Sequence, residues 1–155
     1  MAFLRSISKT DPASLIAGDG VHLRTPQMSD FAEWAELREV SRDFLTPWEP
    51  TWPTDDLTKP SFRRRLRRYQ RESREGNAYP FFIFRDEDRA LVGGCTLSNV
   101  HRGVQQDCTL GYWAGAPFAG QGYVTRAVRA IIPFVFEELK LHRIMASCLL
   151  ENERS

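Results

Sequence analysis

Cys108-Thr-Leu-Gly-Tyr-Trp-Ala-Gly-Ala-Pro-Phe-Ala-Gly-Gln-Gly-Tyr-Val-Thr125 is the stretch whose reading decides the fold. Its first part, Cys108 to Trp113, is short, apolar and aromatic and predicts a strand. Gly115 to Gly122 holds three glycines and a proline and predicts a loop. From Thr125 to Leu139, apolar Ala127, Val128, Ile131, Ile132, Val135 and Phe136 recur at steps of three and four, which predicts a helix, kinked at Pro133. Strand, Gly-rich turn and helix start together form an anion site. Free amides and the positive end of the helix dipole converge where glycine lets a phosphate approach. The glycines could equally do no more than supply turn geometry. The spacing is neither that of a dinucleotide fingerprint nor that of a P-loop, and what remains suits a pyrophosphate held without a metal.

Outward from that centre, the chain has 155 residues, enough for one domain with a sizeable core. A hydrophobic share of 42% with 26% charged residues fits a soluble globular protein, and a net charge of +1 gives no global pull toward nucleic acid or membrane. No apolar run reaches the roughly 18 residues of a transmembrane helix, and Met1 to Pro12 lacks a signal-peptide core. Cys95, Cys108 and Cys148 show no metal or disulfide spacing and read as reduced core thiols of a cytoplasmic protein.

Residues 1 to 20 read as a lead-in, Val21 to Arg24 as a strand, and Ser29-Asp30 as the start of an amphipathic helix carrying Phe31, Trp34, Ala35, Leu37 and Arg38. Phe44-Leu-Thr-Pro-Trp-Glu-Pro50 and Thr51-Trp52-Pro53 form a proline-stiffened loop without regular helix. Trp48, Trp52 and Glu49 on it suit a substrate wall, or simply a cap over the core. Pro60 to Gly76 predicts a helix with an apolar stripe of Phe62, Leu66 and Tyr69, seven arginines elsewhere, and Gly76 as its stop. The arginine face could meet RNA or be a solvated surface diluted by Glu72 and Glu75. Tyr79 to Phe84, Leu91 to Leu97 and Gln106 to Trp113 predict an antiparallel meander, and Arg143 to Leu150 a strand returning parallel after the helix. The class is mixed α/β (α+β).

This order resembles the GNAT acetyltransferases over nearly the whole chain from Val21 to Ser155, and within them the RimJ-type ribosomal-protein alanine N-acetyltransferases. The resemblance rests on Phe44 to Pro50, Ser98-Asn-Val-His-Arg-Gly103, Leu110-Gly-Tyr112, Gly120-Gln-Gly122, and Leu141-His-Arg-Ile-Met-Ala146 leading to Glu151-Asn-Glu-Arg-Ser155. The family's Gln/Arg-x-x-Gly-x-Gly/Ala turn falls on Ala119 to Val124, with both outer positions departing, and Arg126 stands where this branch usually has Glu.

The resemblance implies a mixed antiparallel/parallel sheet flanked by helices and acetyl-CoA as donor. It puts the pyrophosphate on Gly120, Gln121, Gly122, Tyr123, Val124 and Thr125, and the pantetheine arm between splayed strands with an amide of Tyr112 or Trp113 on the thioester oxygen. Asn152 would hold the arm and Ser155 would return a proton, or the two would do no more than form a strand-end turn and a helix cap, and Glu49 would serve as base. Trp48, Glu49 and Asn99 would meet the acceptor, and no metal is implied. The implied acceptor is a protein N-terminal α-amine, with a small-molecule amine as the alternative. A ribosome- or RNA-associated binding module without catalysis is the alternative from another class. The family continues past the position of Ser155 with another helix and two strands. Truncation of a longer protein is expected, with completion by a second chain, as in a homodimer, the other option.

Overall fold

The computed structural model describes residues 15–155; residues 1–14, most of the expected lead-in, lie outside the described residues. Six strands form one sheet in the order β1-β2-β3-β4-β5-β6: β1 Ile16–Ala17, β2 Val21–Arg24, β3 Tyr79–Arg85, β4 Leu91–His101, β5 Asp107–Ala114 and β6 Arg143–Met145. Neighbours are antiparallel from β1 to β5, and β5 and β6 run parallel. The helices are α1 Phe31–Val40, α2 Arg42–Leu45, α3 Lys59–Glu75 and α4 Tyr123–Pro133.

Two apolar clusters cover the two faces of the sheet. On one, α4 brings Ala127 and Ile131 against Leu23, Ile83, Val92 and Leu97. On the other, Trp34 and Leu37 of α1 and Phe62 and Leu66 of α3 close over Phe82, Phe84 and Leu91. Alternate residues of a strand face opposite sides, so the unbroken apolar run of β3 serves both clusters. The Phe62, Leu66, Tyr69 stripe of α3 faces inward as its spacing predicts, and Gly76 ends the helix in the left-handed region at φ 73°.

Four expectations need correction. The end of the lead-in is a short strand, because Ile16 and Ala17 pair with Leu23 and His22 across the Gly18–Gly20 turn. The proline loop is not free of helix: Arg42–Leu45 is helical and Thr46–Trp48 is a 3-10 turn, since Pro47 occupies an early position whose N–H would have no partner anyway. The expected helix Thr125–Leu139 starts two residues earlier and gives way after Pro133 to a π-helical turn, Phe134–Glu138, where the Leu139 N–H donates to the Phe134 carbonyl at 2.9 Å. The expected strand Arg143–Leu150 pairs only through Met145, and Leu149 and Leu150 are exposed.

That last correction positions the site. β6 pairs with Asp107, Cys108 and Thr109 and then leaves, so from Leu110 to Ala114 β5 keeps β4 on one side and an open edge on the other. This is the splay the family resemblance implies.

Candidate active site

Strand parity decides which groups of β5 face that open edge. The Gly115 N–H donates to the Val92 carbonyl of β4 at 2.9 Å, and residues two apart point the same way. Trp113 and Gly111 therefore turn their amides toward β4, leaving Tyr112 and Ala114, beyond the last β5–β6 pair at Thr109 and Met145, with theirs on the open side. Sequence left Tyr112 and Trp113 as equals for an edge donor; the geometry gives the edge amide to Tyr112 alone. The Tyr112 hydroxyl meets Ser155 Oγ at 2.5 Å, and the Ser155 N–H donates to the Asn152 carbonyl at 3.1 Å, so three expected residues gather at this edge.

Past β5, a 3-10 turn at Ala116–Phe118 leads to α4. Gly120 and Gly122 take φ of 74° and 82°, which only glycine adopts freely, and a Cβ on either would meet nothing within 4 Å. The turn thus presents bare backbone to open space in front of the α4 N-terminus, whose first amides have no partner in the helix. Gly122 is the cap residue, followed by Tyr123, Val124 and Thr125 in the first turn. Arg126 backs the loop. Its guanidinium donates to the carbonyls of Asp19, Gln121 and Gly122 at 3.2 to 3.4 Å and lies 4.8 Å from the Tyr123 ring centre, so its charge stays beside the turn. α1 braces the same loop: Ser41 Oγ accepts the Ala116 N–H at 2.8 Å, and a Cβ on Gly115 would fall 2.3 Å from a Leu37 methyl.

On the other side of β5 lies a cleft of about 350 Å³ lined by Trp34, Trp52, Trp113, Tyr69 and Phe82, with Arg38, Glu49, Asp56, Arg65 and Thr96. Trp113 folds over β4, so a Cβ on Gly94 would sit 2.2 Å from its Nε1. Arg38, 7% exposed, is the centre of the wall. It donates two parallel hydrogen bonds to Glu49, at 2.9 and 2.7 Å, while its planar group lies 4.2 Å from the Trp52 ring centre and 4.9 Å from that of Trp113. Its Nε is buried without a hydrogen-bond partner among the described residues. Trp52 Nε1 donates a third bond to Glu49 at 2.7 Å, and Arg65 pairs with the buried Asp56 at 2.7 Å. Two arginines balance two carboxylates, so the cleft is aromatic and close to neutral.

Among the expected substrate residues, Glu49 and Trp52 line this cleft. Trp48, 41% exposed, is not among the residues that line it. Asn99 lines a separate hollow with Glu72, Asn77, Ser98 and His101. Trp34, Arg38, Asp56 and Arg65 were not anticipated as site residues, though Arg38 had a signal. Four residues beyond Trp34, it sits on the apolar face of its helix, where a lone cation calls for a buried partner. Cys95 and Cys108 are core thiols as expected, with burial pushing Cys95 up to about 12; Cys148 is exposed, contrary to the core-thiol reading. Among the described residues no cluster could hold a metal ion, and no helix is long and apolar enough to cross a membrane.

A strand that leaves its parallel neighbour halfway, followed by a glycine turn and a helix N-terminus, is the arrangement the resemblance to the GNAT acetyltransferases implies. The sequence model described as Acetyltransferase (GNAT) domain matches residues 21–155, and the chain belongs to this family. It is an N-acetyltransferase of the RimJ type, and enzymes of the family take their acetyl group from acetyl-CoA.

Among relatives, a probable N-acetyltransferase, YjcK of Bacillus subtilis, is 31% identical over 138 residues, covering 89% of this chain and 76% of its own. The [ribosomal protein uS5]-alanine N-acetyltransferase of Escherichia coli is 29% identical over 144 residues, covering 93% and 74%. The solved structure of Mycobacterium smegmatis RimJ in complex with CoA-disulfide superposes with a TM-score of 0.83 at 29% identity, over 94% of this chain and 71% of that one.

Proposed function

We propose that the chain transfers acetyl from acetyl-CoA to the N-terminal α-amine of a protein, of the ribosomal-protein kind. The observation that carries this is the meeting, across β5, of the open Tyr112 edge with an open, aromatic, charge-balanced cleft. A cleft with surplus carboxylates would draw polyamines or other small cations, and this one has none to spare because Arg38 and Arg65 neutralise Glu49 and Asp56. An α-amine has a pKa of about 7.7–8.0, so roughly a tenth is already neutral at pH 7, whereas a lysine, near 10.4, demands a far stronger base. We assign the chain to the cytoplasm, where cysteines stay reduced, on the absence of a disulfide spacing among Cys95, Cys108 and Cys148.

The residues fit the donor. Amides of Gly120, Gln121, Gly122, Tyr123, Val124 and Thr125 would hold its pyrophosphate, with Arg126 adding a cation. The Tyr112 amide is the edge donor for a carbonyl oxygen, and Asn152 lies where a chain along the edge would pass. Acetyl-CoA supplies the acetyl group as an activated thioester, which needs no metal. The Ser155 hydroxyl, shared with the Tyr112 hydroxyl, holds a proton at the edge. Glu49 accepts three hydrogen bonds and keeps about one lone-pair site of four, enough to orient one water or amine N–H.

The test is calorimetric titration with acetyl-CoA, repeated with Gly122→Glu, and then acetylation of one peptide with a free N-terminus, with a blocked N-terminus and free lysines, and of a polyamine. Saturable binding lost in Gly122→Glu and transfer confined to the free N-terminus are expected. Equal or better transfer to the polyamine overturns the acceptor assignment. A Glu49→Gln protein with undiminished kcat/KM across pH removes Glu49 from proton transfer.

A further inference from the structure

The arginines of α3 divide into two groups. Arg64 pairs with Asp55 at 2.9 Å, Arg65 with Asp56 at 2.7 Å, and Arg68 lies 4.0 Å from Glu72. Lys59, Arg63, Arg67, Arg71 and Arg74 are all exposed and have no acidic partner among the described residues. Glu75, one turn beyond Arg71, instead accepts a hydrogen bond from Asn77 at 3.2 Å. The unpaired cations follow one another at steps of four, four, four and three residues. At about 100° per residue they share a stripe about 120° wide and about 22 Å long. By the same count Arg64, Glu75, Arg68 and Glu72 follow at about 140° to 220°, on the adjoining flank, with Glu75 beside Arg71. Charge is thus sorted, one flank neutralised and the other purely cationic, in a chain whose net charge is only +1. Like charges one turn apart repel, so the stripe works against its own helix unless an anion covers it.

We propose that this stripe docks the phosphate backbone of RNA. Guanidinium groups fork onto phosphate oxygens in pairs, and their spacing of about 6 Å along the helix is comparable to that of successive phosphates. The apolar stripe of Phe62, Leu66 and Tyr69 is turned to the core, leaving no apolar face to enter a membrane surface. Arg65 and Tyr69 of the same helix line the acceptor cleft, so a particle held by the stripe would present its protein termini beside the cleft. The choice of RNA over DNA rests on the acceptor being of the ribosomal-protein kind; the phosphate contact itself does not.

The experiment is binding of the whole chain to a labelled RNA hairpin between 50 and 300 mM salt, with a DNA hairpin of the same sequence and polyglutamate as competitors. Four engaged phosphates give a slope of log affinity against log salt of about −3 to −4. A protein carrying Arg63→Gln, Arg67→Gln, Arg71→Gln and Arg74→Gln is expected to lose about one from that slope per substitution and most of the affinity. Arg64→Gln with Arg68→Gln is expected to change little. Acetylation of a short free peptide should be equal in the stripe variant and the unaltered protein, which separates docking from catalysis. A salt-independent interaction, equal loss from the two sets of substitutions, or stronger competition by polyglutamate overturns the proposal, and tighter binding of the DNA hairpin overturns the choice of RNA.

Discussion

Replacing Arg38 tests whether the cleft wall is held by one buried charge pair. Arg38→Met keeps an unbranched apolar stem and removes the guanidinium from the rings of Trp52 and Trp113. Glu49 is then left with Trp52 Nε1 as its partner. Stranding a fully buried charge costs about 3–5 kcal/mol. The Glu49 side chain keeps 22% of its exposure, so water screens part of that loss and about 2–3 kcal/mol is expected. Glu49→Gln alone should cost about 1.5–3 kcal/mol, the range for a hydrogen bond to a charged group. The double variant should cost clearly less than the sum, with a coupling of about 1.5–2 kcal/mol. Urea unfolding of the four proteins at pH 7 supplies the cycle. Steady-state kinetics on the same proteins should show the acceptor KM rising more than the acetyl-CoA KM, because the pair walls the acceptor cleft and not the glycine turn. A coupling below about 0.5 kcal/mol would refute the reasoning, reducing the pair to an ordinary surface contact.

Gly93→Ala puts a Cβ 2.2 Å from the Trp113 carbonyl oxygen, a backbone atom that moves only if β4 and β5 part, and should cost roughly 3 kcal/mol in urea unfolding. Gly120→Ala, whose Cβ meets nothing, should cost only the left-handed strain of about 1–2 kcal/mol; equal losses from the two would contradict this division. Hydrogen bonds from Arg85, then from the Ala90 N–H, hold Asp88 down at about 2. Its contribution to stability is therefore full above its ordinary value of 3.8 and fades as pH falls through about 2, so the gap in unfolding midpoint between the unaltered protein and Asp88→Asn should narrow below pH 4. A gap that widens in acid would contradict the sign. Native protein at pH 8 should take up one iodoacetamide per chain, at exposed Cys148, and three after unfolding, as mass spectrometry would show. Native labelling of Cys95 would contradict its buried place.

Most strands and both long helices were legible because their signals are local. β3, β4 and β5 follow from apolar runs punctuated by turns, and α3 from a stripe ended by Gly76. The glycine turn was legible too, since positive φ at Gly120 and Gly122 is a demand on those residues themselves. Three features were not legible, each depending on distant partners. Arg143 to Leu150 reads as one strand, yet its pairing stops where β5 parts from it, and nothing in those residues announces the parting. Pro133 announces a disturbance, but whether it bends the helix or widens it into a π-turn is settled by how Phe134 and Val135 reach the core. Glu49 was singled out as the carboxylate of its loop, but its two-pronged hold on Arg38, eleven residues earlier in the chain, was not foreseen.

The same consideration explains why the site lies where it does. A strand paired on both sides has no free backbone groups to offer, and one unpaired on both sides has no fixed position. From Gly111 to Ala114, β5 satisfies both needs at once: its odd-numbered amides are locked into the β4 ladder, and those of Tyr112 and Ala114 have no strand on their other side. The ladder also sets the side chains, sending Trp113 over Gly94 into the Arg38 cluster and Tyr112 toward Ser155. The proposed donor edge and acceptor wall are therefore adjacent residues of one rigid strand, and their separation is fixed by the pleat and not by a loop. A change that loosens β4 from β5, such as Gly93→Ala, should for this reason lower kcat more than it weakens binding of acetyl-CoA, whose pyrophosphate turn lies beyond the strand's end.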